Sequence, residues 1–150
     1  MDSTAPSLFS RVGGMPFFER LVDSFYRGVA ADDVLLPLYP EAPDLTGARR
    51  RLTLFLAQYW GGPHTYDDER GHPMLRMRHM PFRIGPLQRD RWLATMSRAI
   101  AEVCANDAVD AVDAVDGDVA DELMAYFMKT AEHLRNDTGL PITAASYGKR

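Results

Sequence analysis

Between Phe17 and Val29 the apolar residues Phe17, Phe18, Leu21, Val22, Phe25, Tyr26 and Val29 recur at intervals of three and four, a spacing that puts them on one face of a helix. A stripe that wide needs a partner surface, so the rest of the chain must supply elements that cover it. Three further stripes answer that need: Leu45, Ala48, Leu52, Phe55, Leu56 and Tyr59; then Trp92, Met96, Ala99, Ile100 and Val103; then Leu123, Met124, Phe127, Met128, Ala131 and Leu134. No segment alternates convincingly with period two, so strands are not expected. The expected class is all-α, with four main helices and two or three short ones.

Punctuation fixes where the helices stop. Gly13-Gly14 marks a corner and Pro16 opens the first long helix. Asp32-Asp33 and Pro37, Pro40 and Pro43 end its pattern and impose a winding segment. Gly61-Gly62-Pro63 stops the second helix, and His64 to His72, with no clean period, reads as a loop. Pro73 can open a short helix that Pro81 must close, leaving about two turns from Pro73 to Met80. Gly85-Pro86 opens the next. Residues 108–116 repeat Ala-Val-Asp, an acidic inter-helix segment expected to be partly helical. Its oxygen spacing does not match a calcium-binding loop.

The 150 residues suit one domain, with a core at about 8–135, an N-terminal arm at 1–7 and a mobile tail at 137–150. With 17 basic and 21 acidic residues the net charge is −4, which gives no electrostatic case for nucleic acid or anionic membrane. The lone Cys104 excludes an internal disulfide and reads as a small buried residue in a reducing compartment. Neither a signal peptide nor a membrane span is apparent, so a cytoplasmic location is expected.

Four histidines, His64, His72, His79 and His133, are the first candidates for chemistry. None forms a His-x-x-x-His or Cys-x-x-Cys pair, and the nucleophile-elbow, phosphate-loop and dinucleotide patterns are missing. His79 differs in its setting: it ends a helix fixed by Pro73 and Pro81, with Leu75 one turn earlier on the same face. A single neutral imidazole so oriented can hold haem iron. Taken alone, a helical histidine is more often a surface or satisfied core residue. Tyr26 shares the apolar stripe of Phe18 and Val22, Tyr39 lies in the Pro-rich turn, and Trp92 opens the face of a later helix. Buried phenols and indoles need hydrogen-bond partners. Converging on an apolar cavity, these three would offer donors to a polar ligand; dispersed, they are ordinary core aromatics.

A larger constellation resembles the truncated haemoglobins, specifically their second group. It comprises Gly13-Gly14, Ser24-Phe25-Tyr26, Leu38-Tyr39-Pro40-Glu41, the run from Phe55 to Pro63, Arg70-Gly71-His72-Pro73, the run from Leu75 to His79, the run from Pro81 to Ile84, and the run from Arg89 to Leu93. The resemblance covers roughly residues 8–135. It implies a two-over-two helical sandwich around haem b, with His79 as the proximal iron ligand. It implies a distal network of Tyr26, Tyr39 and Trp92, with Ala48 where a distal histidine usually stands. Further haem contacts implied are Arg51, Leu52, Phe55, Tyr66, His72, Leu75, Arg78, Phe82, Ile84 and Met96. Arg51 and Arg78 suit the haem propionates, because arginine pairs well with carboxylates. The Ala-Val-Asp run, the long tail and the arm before Leu8 depart from the family pattern without touching these motifs.

The implied role is binding of O₂, CO and NO, in oxygen transport, storage or sensing, with slow O₂ release. The alternative is a haem enzyme for NO dioxygenation or peroxidase chemistry, needing a reductant such as a partner reductase. A homodimer is a further expected association. A haem-free helical interaction module is the remaining reading, disfavoured by the pocket residues.

Overall fold

The computed structural model describes residues 7–71, 84–110 and 117–135, with the backbone alone for 105–110 and 117. The expected helix from Pro73 to Met80, most of the Ala-Val-Asp run and the tail at 137–150 lie outside the described residues.

A four-residue helix α1 (Leu8–Arg11) is capped by the Ser7 hydroxyl, which accepts from the Ser10 backbone N–H at 3.1 Å. The corner after it needs glycine: Gly13 and Gly14 stand at φ 91° and 87°, where a Cβ is strained. Pro16 then lies in the first turn of α2 (Met15–Ala30), as the sequence indicates. All seven apolar positions of its stripe are buried. A 3₁₀ turn (Leu36–Leu38) crosses to α3 (Thr46–Tyr59). A short α4 (Thr65–Arg70) follows, then the long α5 (Pro86–Asp110) and α6 (Gly117–His133). No strand occurs among the described residues.

Two expectations shift. The segment after Pro63, expected as a loop, forms α4: Asp67 and Asp68 in its first turn favour the positive end of the helix dipole, and Tyr66 is buried. A six-residue helix holding one buried side chain leaves no periodicity to read. Tyr59, expected inward on its stripe, is 53% exposed.

α2 packs against α3 and crosses α5, and α5 packs against α6, giving two helices over two. The close crossing of α2 and α5 depends on Gly28, where a Cβ would come within 2.6 Å of Thr95 Cγ2. This approach brings the rings of Phe25 and Trp92 to 5.0 Å. The core joins Phe17, Phe18, Leu21 and Phe25 of α2 to Leu56 of α3, Met96 of α5 and Leu123 of α6, all essentially unexposed.

Asp32 ties the turn after α2 to α5. Its carboxylate accepts from the backbone N–H of Val34 at 2.8 Å and of Leu35 at 3.1 Å, and takes two hydrogen bonds from Arg91 at 3.0 and 3.1 Å. Arg91 first, and then these backbone donors, hold the carboxyl below its ordinary pKa. Asp32→Ala is expected to cost about 2 kcal/mol of stability in denaturant titration. Because the folded-state pKa is depressed, this contribution is whole above about pH 4 and fades as pH falls through the folded value. A variant as stable as the parent at neutral pH would show that the turn holds without the carboxylate.

Candidate functional site

The two layers enclose a cavity of about 460 Å³. Its walls come from every main helix, with Tyr26 from α2, Ala48, Leu52 and Phe55 from α3, Trp92 from α5 and Phe127 from α6. The lining is mostly apolar, in keeping with a site for a large hydrophobic ligand held by a few polar groups.

The sequence explains how each polar tip arrives. Tyr26 lies four residues beyond Val22 on the buried stripe, so its ring faces the interior. Tyr39 follows the 3₁₀ turn, and its ring meets that of Tyr26 edge to face at 5.5 Å. Trp92 reaches the cavity between Phe25 at 5.0 Å and Phe127 at 5.4 Å.

These groups form one electrostatic unit. Burial pushes the Tyr26 phenol well above its ordinary pKa; Tyr39 pushes in the same direction, while Arg51 and Arg49 pull weakly against them. Burial also raises Tyr39, opposed by hydrogen bonding from Tyr26 and from Trp92. Both phenols therefore stay protonated at neutral pH and remain donors. A tyrosine hydroxyl has one proton and two acceptor lone pairs. Tyr39 therefore sits between two hydrogen-bonding neighbours, Tyr26 and Trp92, on the cavity wall.

Cationic side chains also border the cavity. Arg51 is only loosely held by Glu41, at 3.5 Å, and a Cβ on Gly47 would meet its Nη1 at 2.9 Å. Arg89 is engaged by Asp90 at 3.0 Å and by Glu132. Arg70 lines the same space.

Of the residues expected here, Tyr26, Tyr39, Trp92, Arg51, Leu52, Phe55, Tyr66 and Ile84 line the cavity together with Ala48. Met96 does not line it; the side chain is fully buried in the core. His72, Leu75, Arg78, His79 and Phe82 lie outside the described residues. The sequence reading missed Tyr126, Phe127 and Thr130 of α6 as cavity residues. Phe127 belongs to the last apolar stripe, but which part of that stripe reaches a cavity is decided by how α6 packs on α5.

No helix among the described residues is long and apolar enough to cross a membrane. No cluster of metal-binding side chains occurs among them.

Residues 7–131 match the family of bacterial-like globins. The group 2 truncated haemoglobin of Bacillus subtilis (strain 168) is 40% identical over 125 residues, which is 83% of this chain and 86% of that protein. The thermostable haemoglobin of the actinobacterium Thermobifida fusca is similar in structure, with a TM-score of 0.79 and 44% identity, over 89% of this chain and 99% of that one. The truncated oxygen-avid haemoglobin from Bacillus subtilis aligns with a TM-score of 0.75 and 36% identity, over 87% of this chain and 100% of that one. The chain therefore belongs to the bacterial-like globin family, among the group II truncated haemoglobins.

Proposed function

We propose that the protein binds haem b in this cavity, with His79 as the proximal iron ligand, and takes up O₂, and also CO and NO, on the side lined by Tyr26, Tyr39 and Trp92. The observation that carries this reading is the convergence of three polar aromatic tips on one mostly apolar space. The donor set fits the group. Apolar walls from both layers suit the faces of a flat macrocycle, and Arg51 suits its carboxylates because the Glu41 contact it would exchange is long. Arg78 is the second candidate for a carboxylate.

Haem, when bound, supplies an iron that coordinates a diatomic gas. The protein's own groups set how long the gas stays. Tyr39 donates its hydroxyl proton in a hydrogen bond to the polar gas ligand, with Tyr26 and Trp92 beside it on the same wall of the cavity. Low local dielectric strengthens each of these bonds. Ala48 has no polar side chain, so the network does not rely on a distal histidine. Leu52 and Phe55 keep water from competing for the donors. Long retention agrees with the description of the Bacillus subtilis relative as oxygen-avid. It favours redox use of the gas over delivery, because delivery requires release.

A second reading, NO dioxygenation or peroxidase-type chemistry at the same site, is favoured by the oxidisable rings of Tyr126 and Trp92 on the cavity wall. It needs an outside reductant, such as a reductase. The lone Cys104 suits a cytoplasmic setting for either reading.

Absorption spectra of the purified protein in ferric, dithionite-reduced, oxygenated and CO-bound forms test the first reading. A Soret band that moves with O₂ and with CO is expected. No Soret band after addition of haem would overturn it.

A further inference from the structure

A second recess lies on the back of α3, where that helix packs on α2. Ala48, Leu52 and Phe55 of α3 line the haem-sized cavity, whereas Thr46, Arg49, Arg50 and Thr53 line this groove of about 450 Å³. α2 closes its other side with Met15, Glu19, Val22 and Asp23.

Arg49 is the residue that pairing leaves unfinished. Its Nη1 donates to Asp23 at 3.1 Å and so ties α3 to α2. Its Nε is the one buried side-chain nitrogen or oxygen among the described residues without a hydrogen-bond partner. An unmet buried donor costs free energy, so a partner that supplies an acceptor there binds with that gain. Asp23 is already engaged on both oxygens, by Arg49 and by Arg27 at 2.7 Å. The Arg49 side chain as a whole is 42% exposed, so a small rotation opens its Nε edge to the groove. That edge of a guanidinium grips a carboxylate with two parallel bonds. The same chain shows the grip elsewhere: Arg91 holds Asp32 through Nε at 3.0 Å and Nη2 at 3.1 Å.

The surroundings select the kind of acceptor. Both hydroxyl protons of the groove are already given, that of Thr53 to the Arg49 carbonyl at 2.8 Å and that of Thr46 to Asp44. Arg50 is held by Glu69 at 2.5 Å. One fork therefore remains, enough for the two oxygens of a carboxylate and too few donors for a phosphate. Glu19 on the wall repels a dianion twice as strongly as a monoanion. Met15, Val22 and Leu54 give the rest of the groove an apolar side. We propose that this groove binds a small monocarboxylate with a short apolar tail, its oxygens on the Nε edge of Arg49 and its tail against Met15 and Leu54.

The test titrates the full chain, isotope-labelled in nitrogen, with sodium butyrate at constant ionic strength and follows the Nε–H resonances of its arginines. The resonance that is missing from Arg49→Lys should shift and saturate with a dissociation constant of about 1 mM, ordinary for so few atoms. Acetate should bind several-fold more weakly, because it leaves the apolar side uncovered. Inorganic phosphate should also bind more weakly than butyrate. Arg49→Lys keeps a cation for Asp23 but lacks the fork, and should weaken butyrate by about tenfold in calorimetry. Glu19→Gln leaves the fork in place, removes the repelling charge and should strengthen butyrate about twofold. Butyrate that leaves the Arg49 resonance still, or shifts only that of another arginine such as Arg51, would overturn the proposal. So would an Arg49→Lys variant that binds butyrate as the parent does, or phosphate that binds more tightly than butyrate.

Discussion

His79→Ala is expected to leave a protein that folds but retains no haem through gel filtration, so that the Soret absorbance of the purified protein is lost. In the sequence, Pro73 and Pro81 bracket a segment long enough for about two helical turns, and His79 lies four residues after Leu75 and two before the closing proline. A proline at each end limits the backbone freedom of the segment, so an imidazole there would lose little entropy on binding iron. Alanine is a strong helix former, so the substitution removes the imidazole and little else. Haem that binds the native state stabilises it by about 3 kcal/mol when its free concentration is a few hundred times its dissociation constant. The variant should therefore also melt at lower temperature than the parent purified with haem, and at the same temperature as the parent stripped of it. Imidazole added to the variant together with haem should restore a Soret band, because it replaces the missing ligand in the space alanine leaves. His72→Ala is the control and should keep its haem. A His79→Ala protein that holds haem with the parent spectrum would place the iron ligand elsewhere.

The residues that set the helices were legible because their signal is local. The stripe from Phe17 to Val29, the start at Pro16 and the start at Pro86 all appear where the sequence puts them. α4 was not legible, since six residues with Tyr66 as the one buried side chain give no period. Tyr59 carries the spacing of its stripe yet is half exposed at the end of α3, while Trp60, its neighbour, is buried instead. In the site, the sequence offers Tyr26, Tyr39 and Trp92 as separate aromatics on three different elements. Family resemblance groups them, and only the crossing at Gly28 and the turn held by Asp32 bring them to one cavity. The contribution of α6 stayed hidden for the same reason: Tyr126 and Phe127 are adjacent in sequence, so no periodicity says that both reach the cavity.

Trp92→Phe is expected to release O₂ faster by about tenfold to a hundredfold. Phenylalanine keeps an aromatic ring between Phe25 and Phe127, so the packing at 5.0 and 5.4 Å has a substitute and the fold should stand. What disappears is the indole N–H, a donor at the cavity wall that acts on the Tyr39 phenol. A hydrogen bond in a dry site that supports a partly charged partner contributes about 1.5–3 kcal/mol, and each 1.4 kcal/mol is about a factor of ten in the rate of escape. Stopped-flow displacement of O₂ by CO reads this rate directly. The arrangement also makes a prediction about pairs. Trp92 and Tyr26 both act on the Tyr39 oxygen, so their effects should depend on whether Tyr39 is there. In a Tyr39→Phe background, Trp92→Phe should change the O₂ off-rate far less than it does in the parent. Equal effects in the two backgrounds would mean that the indole acts on the gas by itself, without Tyr39 between them. An off-rate unchanged by Trp92→Phe in the parent would remove the indole from the ligand-holding network altogether.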